Sequence, residues 1–265
     1  TTKALLNNSK KGSDNRADIV VKAGSRDIIN EAFRVLRTNL GFLCQDSGKC
    51  NNIMVTSFNP GSGKTFVSIN LGVSLAIKGK RVLVIDGDLR HGSTSSFVGS
   101  TSKGISDYLS GRTNDVNSLI TTKEDLCGLK IMPVGTIPPN PTELLENGRL
   151  ASLLEVLSQE FDYIFIDCPP SLGMLTVKAL SISDGIVVPM QCEFYSLEGM
   201  SQLLNTVKKI RQLYNPDLQI VGILLTMYNG RLTLTGQVVA ELKKYYNDLL
   251  FKVPISRTVR LSEAP

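Results

Sequence analysis

Short apolar runs alternate along this chain with segments of helical periodicity, and few folds accept that pattern. The runs occupy residues 53–57, 81–86, 129–134, 163–167, 185–190, 220–226 and 251–255. Helical patterns lie between several of them, at 64–77, 142–158, 197–213 and 234–246. A further helix over residues 27–43 precedes the first run. A strand that is apolar at every position, not at alternate ones, is buried on both faces. Separating such strands by helices predicts an α/β fold, a doubly wound and mostly parallel sheet of about seven strands. Composition agrees: 265 residues, 42% hydrophobic and 20% charged, suffice for one large domain with a buried core. Collagen-like, low-complexity and largely disordered chains are excluded. No run approaches the roughly 18 apolar residues of a membrane span.

The net charge of +5 divides unevenly. Residues 1–26 carry six basic and two acidic side chains, which leaves residues 27–265 at +1. The first stretch reads as a basic, polar leader and residues 27–265 as one domain. The chain opens on Thr1, which leaves room for an upstream membrane portion whose inner face would suit those charges. The five cysteines, at 44, 50, 127, 168 and 192, lack metal spacing and read as reduced thiols of a cytoplasmic protein.

The sharpest motif is Asn59-Pro60-Gly61-Ser62-Gly63-Lys64-Thr65, between the first strand and the helix that follows. That is the setting of a P-loop. Gly61 and Gly63 let the backbone approach phosphate, and the helix N-terminus converges N–H groups on it. Lys64 would reach the β- and γ-phosphates and Thr65 would offer its hydroxyl to Mg²⁺. Residues 59–66, Phe66 included, are the expected contacts for ATP or ADP. Phe58 stands where the usual pattern has Gly. A plain glycine-rich helix cap is the alternative reading. Two more strands end in acids: Asp86 and Asp88, two residues apart on one side of an extended chain, and Asp167 before Cys168-Pro169-Pro170. Ligands bind at the carboxyl ends of strands in such sheets. Asp88 and Asp167 are therefore expected around Mg²⁺, and Asp86 as the base that takes a proton from an acceptor hydroxyl. His91, beside Arg90, reads as a loop residue near phosphate.

The P-loop, the Asp86-Gly87-Asp88-Leu89-Arg90 strand end and the Asp167-Cys168-Pro169-Pro170 strand end resemble bacterial tyrosine kinases of polysaccharide export. Glu31, Arg34 and Arg37 are similar to the E-x-x-R-x-x-R helix of that family, which docks on a neighbouring subunit to build a ring. Residues 135–145 resemble it as well. This resemblance covers about residues 27–170 and implies a P-loop kinase that transfers phosphate to protein tyrosine. It would act beside a membrane-bound polysaccharide co-polymerase portion. From Asp167 onward the chain instead resembles the ParA/Soj chromosome-partitioning ATPases of the same MinD/ParA-like superfamily. The carriers are residues 167–173, 189–199 and 258–265. The chain thus reads as a mosaic joined near Asp167.

Each resemblance has a departure. Asn59 occupies the position of the signature lysine of partitioning ATPases, and the seven Tyr form no terminal cluster of the kinase type. The leading expectation is a tyrosine autokinase in a ring-like homo-oligomer. The alternatives are a partitioning ATPase or a nucleotide-binding scaffold with little turnover. Under the partitioning reading, Arg231 and Arg257 or Arg260 would hold DNA, with Lys208, Lys209 and Arg211 extending the surface. Adenine would lie against Tyr228, Asn229 and residues 254–256.

Overall fold

The computed structural model describes residues 19–43, 51–99, 101–145, 147–170, 173–193 and 195–256. Its centre is a seven-stranded sheet made of β1 (Asn51–Val55), β2 (Val82–Asp86), β3 (Thr121–Thr122), β4 (Lys130–Met132), β5 (Tyr163–Asp167), β6 (Gly185–Gln191) and β7 (Gln219–Thr226). The spatial order is β3-β4-β2-β5-β1-β6-β7, parallel throughout except for the antiparallel edge pair of β3 and β4. β1, first in sequence, therefore lies inside the sheet between β5 and β6.

Alternation along the strands divides the core in two. Ile53, Val55, Val82 and Val84 face one layer, built on α1 (Ile28–Leu43) and α2 (Lys64–Ala76). Met54, Leu83 and Ile85 face the other. That second layer includes α3 (Ile105–Leu109), α5 (Arg149–Leu157), α6 (Met174–Ile182), α7 (Ser196–Leu213) and α8 (Thr233–Tyr246); the short α4 (Pro141–Leu144) precedes α5. α1 lies over α2, with the rings of Phe33 and Phe66 5.8 Å apart. Asp27 starts α1 by accepting the Asn30 N–H at 2.9 Å. The last residues of the basic leader are tied down: Asn70 Oδ1 accepts N–H bonds from Val20 (2.8 Å) and Val21 (3.1 Å). Residues 1–18 lie outside the described residues.

Two expected elements need correction. Residues 251–255 form no strand; they follow β7 through bonds such as Phe251 N–H to Ile223 O (3.0 Å), and Pro254 has no donor to continue a ladder. The seventh strand is the two-residue β3. The single helix expected at 142–158 is broken between α4 and α5, where Gly148 takes φ 75°.

Candidate nucleotide site

β1, β2 and β5 end side by side, and Asp86 pairs in register with Asp167. The loop after β1 turns into α2 through Gly61 (φ 70°) and Gly63 (φ 81°), conformations that a side chain disfavours. The 59–65 segment therefore turns into α2 without the strain a side chain would bring at those two positions. Two late strands hold its outer side. Thr226, at the end of β7, donates its hydroxyl to Ser62 O at 2.9 Å, and Gln191, at the end of β6, donates to Gly61 O at 2.5 Å. A carbonyl fixed outward leaves the next amide free to face a phosphate. Phe58, in place of the usual glycine, lays its ring on Gly199 of α7, where a Cβ would meet ring atoms at 2.3 Å.

Lys64 is buried and donates to Ser57 Oγ at 3.1 Å. Burial pulls its ammonium pKa down, while Asp167 and Asp88 push it back up. The charged lysine thus has two carboxylates for company. Asp167 accepts the hydroxyls of Thr65 (2.7 Å) and Thr94 (2.6 Å), and burial raises its pKa despite those bonds. Thr65 and Asp167 thereby sit within one metal shell's reach of each other, an all-oxygen set of the kind that suits Mg²⁺.

The two acids after β2 have different surroundings. Asp86 is fully buried and accepts the Ser95 N–H and hydroxyl (2.7 Å each) and the Asp88 N–H (3.1 Å). Burial lifts its carboxyl to about 7, with Asp167 adding to the rise. Its acceptor capacity goes to holding the loop of residues 94–95 in place. Asp88 accepts the Arg90 and His91 N–H groups at 3.2 Å and lies 3.2 Å from His91 Nδ1. Asp88 is buried as well, and its charge favours the ammonium form of Lys64.

Lys64, Thr65, Asp86, Asp88 and Asp167 are thus brought together at the ends of β1, β2 and β5. Tyr228 and Asn229 stand at the far side of Thr226, with Tyr228 N–H bonded to Ile255 O at 2.9 Å, so the two late loops do meet. Glu31, Arg34 and Arg37 are remote from this site. Arg34 pairs with Glu31, and Arg37 donates to Ser74 O at 2.8 Å on α2. Sequence reasoning passed over Ser57, Thr94, Ser95, Gln191 and Thr226. Gln191 and Thr226 had a usable signal, since both are polar residues closing apolar parallel strands. Thr94 and Ser95 had none, because their 3₁₀ turn (Thr94–Phe97) lacks periodicity. Arg257 and Arg260 lie outside the described residues.

The AAA domain family matches residues 50–220. The sporulation initiation inhibitor protein Soj of Bacillus subtilis is 42% identical over 226 residues, 80% of this chain and 87% of its own length. Among solved structures, cobyrinic acid a,c-diamide synthase of Mycobacterium smegmatis, with bound ADP and magnesium, superposes with a TM-score of 0.70 at 28% identity, over 79% of this chain and 87% of its own. The kinase domain of the Escherichia coli tyrosine kinase ETK superposes with a TM-score of 0.65 at 30% identity, over 74% of each chain. These findings overturn the tyrosine-kinase reading. Sequence identity of 37–42% goes to proteins named for partitioning or as Soj, while the kinase is a more distant neighbour in fold. The ring and the polysaccharide co-polymerase partner lose their basis with it. The mosaic fails too, because an alignment of 226 residues exceeds everything from Asp167 to Pro265 and must run far across the supposed join.

Proposed function

Because this chain belongs to the AAA domain family and to its Soj and ParA branch of P-loop ATPases, we propose that it binds and hydrolyses Mg-ATP as a switch in chromosome partitioning. The observation that carries the nucleotide part is the convergence of Lys64, Thr65, Asp88 and Asp167 at three adjacent strand ends. The 59–65 amides and Lys64 would cradle the β- and γ-phosphates. Thr65 would hold Mg²⁺ directly, with Asp167 and Asp88 behind its waters. The metal supplies charge neutralisation at the transferring phosphoryl group. Asp88, bonded by the amides of its own turn, is better suited to orient the attacking water than Asp86, which is committed to the 94–95 loop. Tyr228 and Asn229 would border the adenine.

DNA is the proposed partner of the nucleotide-bound state. Lys208, Lys209 and Arg231 are exposed and supply phosphate contacts. Arg211 is exposed as well but spends its Nε–H on Leu218 O at 2.6 Å. Self-association belongs to the same reading, without a ring.

The test compares ATP turnover with and without random-sequence duplex DNA at two salt concentrations. ATP-dependent retention of DNA that weakens steeply with salt is expected, and Lys208→Ala with Lys209→Ala should reduce the salt slope by up to about 2. Turnover without any DNA binding would leave the ATPase assignment and remove the partitioning one. Undiminished turnover in Lys64→Met would remove both.

A further inference from the structure

At the opposite end of α2 from the P-loop, a cleft of about 370 Å³ opens between residues 21–24, α1 and the last turn of α2. That size falls within the roughly 300–1,000 Å³ of small-molecule pockets. Its charged lining is entirely basic: Lys22, Arg34, Arg37 and Lys78, with Asn30 and Ser74 as neutral polar groups. Two of the four cations have visible work. Arg34 pairs with Glu31 through Nη1 and donates Nη2 to Ser25 O, and Arg37 bonds Ser74 O and Oγ through Nη1 at the carbonyl end of α2. The ammonium groups of Lys22 and Lys78 have no hydrogen-bond or ion-pair partner among the described residues, and both side chains are exposed.

Such a set is electrostatically unfavourable as it stands. Arg34 and Arg37 sit one turn apart and line the same concavity, where like charges repel. Burial pulls the Arg37 guanidinium pKa below its usual value, and the Arg34 charge adds to that. Among the described residues Glu31 is the acid bonded to the set, which leaves three of its four positive charges without an acid partner there. The guanidinium groups supply fixed positive charge at the floor, and the lysines add mobile point charges at the rim.

We propose that this cleft binds a small phosphorylated anion of two or more negative charges, through Arg34 and Arg37 at its floor and Lys22 and Lys78 at its mouth. The site is separate from the P-loop, since Lys64 and Ser74 lie about 15 Å apart along α2 at 1.5 Å per residue. It does not depend on the ATPase reading. A diphosphate group is the shared chemistry of its two sources, inorganic pyrophosphate and a nucleoside diphosphate.

The experiment titrates the Lys64→Met protein, its P-loop disabled, with inorganic pyrophosphate and separately with ADP by calorimetry. One site is expected for at least one of them. Adding Lys22→Ala and Lys78→Ala should weaken it at least tenfold, and these exposed substitutions leave the fold intact by circular dichroism. Equal affinity for both ligands would assign recognition to the phosphates alone; tighter ADP would assign the nucleotide as source. No binding to Lys64→Met, or binding that the added alanines leave unchanged, overturns the proposal. So does sedimentation in which the two lysines are needed for dimerisation but not for pyrophosphate binding. The cleft would then take an acidic segment of a second copy.

Discussion

Asp86 is an acid whose ionisation the fold resists. Its carboxyl has moved from 3.8 to about 7 through burial, and Ser95 bonds it in either protonation state. The native protein therefore keeps a proton that the unfolded chain has released over the window from about pH 4 to pH 7. Stability of the nucleotide-free protein should fall as pH rises through that window and level off above it. The shift corresponds to on the order of 4 kcal/mol. Asp86→Asn retains an acceptor for Ser95 and should remove the Asp86 share of the slope, leaving that of Asp167, whose pKa burial also raises. Denaturant midpoints at pH 5 and pH 8 measure it, and parallel slopes for the two proteins would count against a buried, proton-holding Asp86. Thr226 supports a second prediction. Thr226→Val keeps the volume but leaves Ser62 O without its partner, so ATP affinity should fall about tenfold, or about 1.4 kcal/mol, with little change in fold. Unchanged affinity would mean that Ser62 O finds another donor.

The contact of α7 with the P-loop entrance is an element-scale feature. Phe58 covers Gly199 so closely that Gly199→Ala must displace the ring or the helix, since the new carbon would stand 2.3–2.8 Å from Phe58 Cδ1, Cγ and Cβ. Overpacking of this kind costs about 1–3 kcal/mol. Adding Phe58→Ala should recover most of that loss, and a double-mutant cycle without coupling would show that the two elements do not lean on each other. Phe58 itself is legible in the sequence only as a departure from a pattern; its seat on Gly199 is not. The same contrast holds elsewhere. The six parallel strands are readable because burial on both faces makes them apolar throughout. β3 is too short to carry any pattern, and residues 251–255 have a strand's composition but Pro254 interrupts the ladder. α6, apolar on nearly every side, offers no stripe to recognise. In the site, Lys64, Thr65 and the three acids follow from spacing, whereas Thr94 and Ser95 reach them only through the folding of a loop.

At the scale of the whole molecule, the sheet order forbids a division near Asp167. β1 needs β5 on one side and β6 on the other. A fragment of residues 1–170 would expose one side of β1, and residues 171–265 would hold only β6 and β7 of the sheet. Neither fragment should show a cooperative thermal transition, although the intact chain should; a sharp transition in either one would reinstate the idea of two joined halves. The same order of strands has a consequence for synthesis on the ribosome. The phosphate-binding loop is translated before residue 70; Ser57 and Ser62 hold Asn59 O locally, yet Gly61 O and Ser62 O are held by Gln191 and Thr226. Contacts of such sequence separation form late. A nascent chain that ends before residue 191 therefore carries the complete motif without the two late contacts on Gly61 and Ser62.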